Sequence, residues 1–95
     1  MAVLVLHNIR SVHNVGSIFR TADAIGVSKI YCTGYTPTPL DRFGQQRSDF
    51  HKAALGAEQT VAWEALEDVH VLIHSLKGEG YTVVALEQAE GATDY

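Results

Sequence analysis

Residues 2–33 constrain the fold more tightly than any other stretch of the chain. "AVLVLH" (2–7) is an unbroken apolar run with two valines, short enough for a strand buried on both faces. Val15, Ile18, Phe19, Ala22 and Ile25 then recur at helical spacing, and Gly26 stands where a helix ends in the left-handed conformation. "SKIYCTG" (28–34) reads as a second strand closed by a glycine. A strand, a helix and a strand within about 33 residues make a parallel βαβ unit.

The rest of the chain continues the alternation. "YTPTPLDRFGQQRSD" (35–49) has two prolines, a glycine and no period, so it is expected to be an exposed loop of a length that often carries function. "FHKAALGAE" (50–58) suits a short helical turn ended by Gly56, and "TVAW" (60–63) a short strand. Leu66, Val69, Leu72, Ile73 and Leu76 mark a second amphipathic helix. Glu64, Glu67 and Asp68 stand near its start and His74 and Lys77 near its end, as the helix dipole favours. "GEG" (78–80) terminates it, "YTVVALE" (81–87) is a further buried strand, and "QAEGATDY" is a polar, loose end. The expected fold class is therefore α/β, a parallel sheet with helices packed against it. A strand as apolar as 81–87 needs a neighbour on each side, so the sheet is expected to be cut short. Its open edge predicts association.

Ninety-five residues allow one domain with a thin core, and 46% hydrophobic with 19% charged residues describes a soluble globular chain. No apolar run approaches the roughly 20 residues of a membrane span, and "MAVLVLHNIR" lacks the basic start and cleavage site of a signal peptide. A single cysteine, Cys32, excludes an intrachain disulfide and fits a reducing cytoplasm. The net charge of −4 weighs against nucleic acid, but residues 1–52 carry +3 and residues 53–95 carry −7. That split points to an anionic partner for the first half; a solvated surface can segregate charge as well.

Ligands of open α/β sheets sit at the carboxyl ends of the strands, where this chain has "NIRSVHN". Asn14 is read as the N-cap of a helix starting at Val15, whose first-turn N–H groups would face an anion. Arg20 follows Gly16 by one turn, and its guanidinium would reach back over the glycine toward Asn14. Such a donor cluster suits a phosphate or another oxyanion. The scaffolding alternative makes Asn14 only a cap, Gly16 only a packing residue and Arg20 a partner of Asp23.

"N-I-R-x-x-x-N-V-G-x-I-x-R-T-A-D-A-I-G-V" (8–27) resembles the first motif of the SpoU/TrmH family of RNA methyltransferases in the SPOUT superfamily. "KIYCTGYTPTP", "KAALGAE" and "YTVVALEQAEGATDY" are similar to later elements of that family, so the resemblance covers essentially the whole chain. It implies transfer of a methyl group from S-adenosylmethionine to a ribose 2′-hydroxyl of tRNA or rRNA. It also implies catalytic roles for Arg20 and Asn14 and RNA contacts by Asn8, Arg10 and Gly16. The "G-x-E-x-x-G" and "S-L-N" segments that build the family's cofactor knot do not occur. The resemblance thus implies one partial SpoU methyltransferase-like domain over 1–95, an incomplete Rossmann-like SPOUT domain lacking the C-terminal trefoil knot. Such a chain is expected to be inactive and to bind no S-adenosylmethionine by itself. It would be a fragment, a shortened paralogue or one of two cooperating polypeptides. The alternatives are a non-catalytic RNA-binding module and an interaction module that dimerises through the open sheet edge.

Arg42, Arg47, Lys52 and His51, with Phe43 and Phe50, form a basic loop able to contact RNA backbone and stack on bases. His70 and His74 have an i, i+4 spacing that can bind zinc, but no third ligand is near in sequence, so no metal site is expected. His7 and His13 bracket the polar cluster, Trp63 is expected in the core, and Cys32 reads as a small buried hydrophobe.

Overall fold

Four strands, β1 (Ala2–His7), β2 (Lys29–Thr33), β3 (Ala62–Leu66) and β4 (Thr82–Glu87), form one parallel sheet in the order β3-β2-β1-β4. The computed structural model describes residues 1–87; the segment 88–95, read above as a loose end, lies outside the described residues. Three helices, α1 (Val12–Ile25), α2 (Ser48–Ala54) and α3 (Val69–Gly78), and a 3-10 turn (Ala57–Gln59) complete the fold. The sequence reading of a parallel sheet with flanking helices holds.

The unbroken apolar run of β1 is explained by its central position. Leu6 packs with Val15, Phe19 and Phe50 under α1 and α2, whereas Val3 and Val5 pack with Val69, Leu72 and Leu76 of α3 on the opposite face. Successive side chains of a strand point to opposite faces, so both faces of this strand must be apolar. The chain runs from β1 outward through β2 to β3, and α3 then carries it back across the sheet to β4 on the other side of β1. The gap between the carboxyl ends of β1 and β4 is thus a topological switch point.

Helix α1 starts earlier than the spacing predicts. Ser11, not Asn14, is its N-cap, and the Ser11 side chain accepts a hydrogen bond from the Asn14 backbone N–H at 3.1 Å. Both residue types are good caps; starting after Ser11 adds a turn whose half-buried Val12 packs against the core. The predicted end holds, with Gly26 left-handed at φ 81. Strand β3 runs to Leu66, and α3 begins after Asp68, whose carboxylate accepts from the N–H groups of His70 and Val71. Glu64 therefore belongs to a strand, where it pairs with Lys29 at 2.9 Å. Trp63 is half-buried against the core. Among the described residues β4 is an edge strand with Val84 and Leu86 exposed, not the buried strand expected from its composition, because β1 is its one neighbour.

Cys32 is 2% exposed, and burial pushes its thiol up to about 12. The unfolded thiol ionises near pH 8.5, so above that pH the unfolded state binds fewer protons than the native state. Stability should therefore fall as pH rises from about 9 toward 12, by up to about 1.4 kcal/mol per pH unit from this group. Urea titrations at several alkaline pH values check it: Cys32→Ala should remove that part of the slope, and an unchanged slope would count against the burial argument.

Candidate functional site

Beyond His7 the chain turns sharply at Asn8, a non-glycine residue at φ 55. Asparagine tolerates that conformation because its short amide can bond locally. The Asn8 side-chain oxygen accepts from the Tyr35 N–H at 3.2 Å, and the Asn8 N–H donates to the Thr33 carbonyl at 3.3 Å. Gly34, at φ 63, lies against that amide: a Cβ there would overlap the Asn8 side-chain oxygen outright. The buried Thr36 hydroxyl donates to the Leu6 carbonyl at 2.9 Å and accepts from the Ile9 N–H at 3.1 Å. These bonds fasten the turn after β1 to the loop after β2, making one rigid surface at the carboxyl edge of the sheet. Thr33 reinforces it. Its hydroxyl donates to the Leu6 carbonyl at 3.3 Å, so the His7 Nδ1–H is the donor in the 2.9 Å bond between His7 and Thr33.

On this surface the Arg10 guanidinium lies over the Tyr35 ring, 5.3 Å from its centroid, and Asn14 is exposed in the first turn of α1. Asn8, Arg10 and Asn14 thus gather where the sequence reading puts them. Two details differ. Asn14 does not cap the helix, and its backbone N–H is already taken by Ser11. Gly16 is buried under α2: a Cβ on it would come within 2.5 Å of the Ala53 Cβ. The space expected for an arginine's reach or a substrate backbone is filled by a helix, so in this structure the glycine serves close helix packing. Arg20 is exposed, and with α1 starting at Val12 it shares its stripe with His13 and Ser17, while Asn14 lies about 120° around the axis. Among the described residues Arg20 has no ion-pair partner, Asp23 included.

The basic loop divides into engaged and exposed side chains. Arg47 forks onto Asp49, with bonds of 3.3 and 3.1 Å, and holds that carboxyl below the usual range. His51 pairs with Glu58 at 2.7 Å. Phe50 is fully buried, in an edge-to-face contact with Phe19 at 5.0 Å between centroids, so it cannot stack on a base as expected from sequence. Arg42, Phe43 and Lys52 remain exposed. His70 and His74 are both exposed on α3. Thr33, Thr36 and Asp41, which order these loops, were not singled out from sequence. A threonine beyond a strand looks the same whether or not it is buried, although the "D-R-F-G" spacing does carry a turn signal.

The chain matches the family model described as the SpoU rRNA Methylase family over residues 1–95. It is 37% identical over 93 residues to a protein of Staphylococcus saprophyticus subsp. saprophyticus named for the TrmH family of tRNA/rRNA methyltransferases, covering 98% of this chain and 34% of that protein. It is 30% identical over 95 residues to the tRNA (guanosine(18)-2'-O)-methyltransferase of Thermus thermophilus, covering 97% of this chain and 43% of that one. The fold is shared with the A. aeolicus TrmH/SpoU tRNA modifying enzyme, with a TM-score of 0.75 and 16% identity over 93% of this chain and 52% of that one. The rRNA methyltransferase from Sinorhizobium meliloti gives a TM-score of 0.73 and 19% identity over 97% of this chain and 42% of that one. The chain therefore spans between 34% and 43% of the length of these two sequence relatives.

Proposed function

We propose, because this chain belongs to the SpoU rRNA methylase family, that it supplies the RNA-facing part of a tRNA or rRNA ribose 2′-O-methyltransferase. In this reading Arg20 and Asn14 act at the reacting ribose, and Asn8, Arg10, Arg42 and Lys52 face the RNA. The observation that carries it is the rigid polar edge beside the switch point, with the exposed Arg20 guanidinium, which has no ion-pair partner among the described residues, on the helix that starts there. A guanidinium with a pKa above about 12 is no base near neutrality. Arg20 acts instead by stabilising the alkoxide that develops at the 2′-oxygen, or by fixing a substrate phosphate that takes the proton.

The family's methyl donor, S-adenosylmethionine, would supply the electrophilic methyl group, but the cleft beside the switch point does not fit it. The cleft of about 360 Å³ beside the switch point is lined by His7, Glu67, Asp68, Val69 and His70. Carboxylates and imidazoles with one aliphatic side chain do not make the apolar slot that an adenine needs. The donor would be held by other segments or by a second polypeptide, and these 95 residues alone would not methylate RNA. The reading also carries a cytoplasmic setting and self-association through the exposed edge of β4.

Two measurements test it. Calorimetric titration with S-adenosylmethionine should give no heat with this chain; stoichiometric binding would overturn the account of the donor site. In a protein that joins this chain to a donor site, Arg20→Ala should cut methyl incorporation into a tRNA transcript by about a hundredfold or more. Undiminished incorporation would remove Arg20 from the reaction.

A further inference from the structure

The groove on the loop between β2 and α2 is not accounted for by the core or by the polar edge. We propose that it is a stacking subsite for an unpaired base of single-stranded RNA, with the Phe43 ring as its platform. This rests on the RNA reading above and adds the form of RNA the loop accepts.

Phe43 is 74% exposed, and an exposed ring on a loose loop would mean little. This loop is closely ordered. The Asp41 carboxylate accepts from the N–H groups of Phe43 at 2.8 Å and Gln45 at 3.0 Å. The Asp41 N–H donates to the Gln45 carbonyl at 2.8 Å, and the Arg47 N–H to the Pro39 carbonyl at 3.0 Å. Leu40 and Gln46 form an antiparallel bridge beneath the turn. The aromatic ring is therefore held out in solvent by a closed set of backbone bonds.

The groove has a volume of about 530 Å³ and is lined by Asp41, Arg42, Phe43 and Arg47 together with Thr36, Pro37 and Leu40. The Arg42 guanidinium lies over one face of the Phe43 ring, 4.9 Å from its centroid, so a base would stack on the other face. Thr36 ties the groove to β1, so it is continuous with the turn that presents Asn8 and Arg10. The exposed ring and the cation over it point to the occupant. Asp41 lines the groove with its Oδ1 held in the turn and Asp49 is paired with Arg47, while among the described residues Arg42, beside the ring, has no carboxylate partner. An aromatic platform beside an exposed guanidinium suits a single strand, a base stacking on the ring while a phosphate meets the cation. A duplex hides its base faces and offers nothing for the ring to cover.

The test is fluorescence anisotropy of the 95-residue chain with three labelled RNAs: a short oligoadenylate, an abasic chain of equal length and a duplex. Phe43→Ala should weaken oligoadenylate binding by about fivefold or more and leave the abasic chain unchanged. Phe43→Trp should retain affinity and show indole quenching on titration, measured against the parent with Trp63 alone. Equal oligoadenylate binding by the parent and Phe43→Ala would overturn the subsite and leave the RNA reading standing. Equal weakening of oligoadenylate and abasic RNA would overturn stacking as its basis. Binding of none of the three RNAs would overturn the RNA reading together with the subsite.

Discussion

Phe19→Ala is expected to destabilise the domain by about 3–5 kcal/mol, a large share of the roughly 5–10 kcal/mol available to a domain of this size. Phe19 is fully buried and meets Phe50 edge to face at 87°, so truncation removes contacts from α1, α2 and the sheet together. The cavity cannot close easily, because Gly16 against Ala53 already brings the helices as near as their backbones allow. Urea unfolding followed by circular dichroism would measure the loss. The same truncation at Phe43, a ring in solvent, should change stability by less than about 0.5 kcal/mol. Similar costs at the two positions would mean that the Phe19–Phe50 contact does not hold the helices on the sheet.

Gly34→Ala is expected to cost about 2–4 kcal/mol through two separable effects. A side chain at φ 63 adds a backbone penalty of about 1 kcal/mol. The rest comes from displacing Asn8, whose oxygen occupies the space the methyl group would take and which would lose its bond to the Tyr35 N–H. Amide hydrogen exchange should become much faster at Tyr35 while the centre of β1 stays protected. Adding Asn8→Gly removes the obstacle and should recover the cost of the overlap, leaving the backbone penalty and the lost bond to the Tyr35 N–H. If Gly34→Ala leaves exchange at Tyr35 unchanged, the two loops are not joined by this clamp.

Much of the architecture follows from local pattern. The unbroken apolar run of β1, the glycine that closes β2, the helical spacing from Val15 to Ile25 and the stop at Gly26 report burial and backbone conformation directly, and they place the βαβ unit and its ligand-bearing edge. Boundaries were harder where two residues compete for one task. Ser11 and Asn14 both cap helices, and the helix starts after Ser11, which sets the half-buried Val12 against the core. Strand β4 looks fully buried by composition, yet its surroundings depend on which strands lie beside it, and among the described residues that is β1 alone.

The polar stretch after β1 was recognisable because asparagines, arginines and a glycine gather where a parallel sheet keeps its ligands, and because the order of those residues resembles a family motif. Their individual states were decided by partners distant in sequence. Gly16 is covered by Ala53, Asn8 is clamped by Tyr35, Arg47 is turned onto Asp49 and Phe50 is drawn into the core by Phe19. Residue type and spacing state what a side chain can donate, accept or bury. Only packing between elements brought together from across the chain determines which of these capacities is used internally and which, as at Arg20 and Phe43, is left facing solvent.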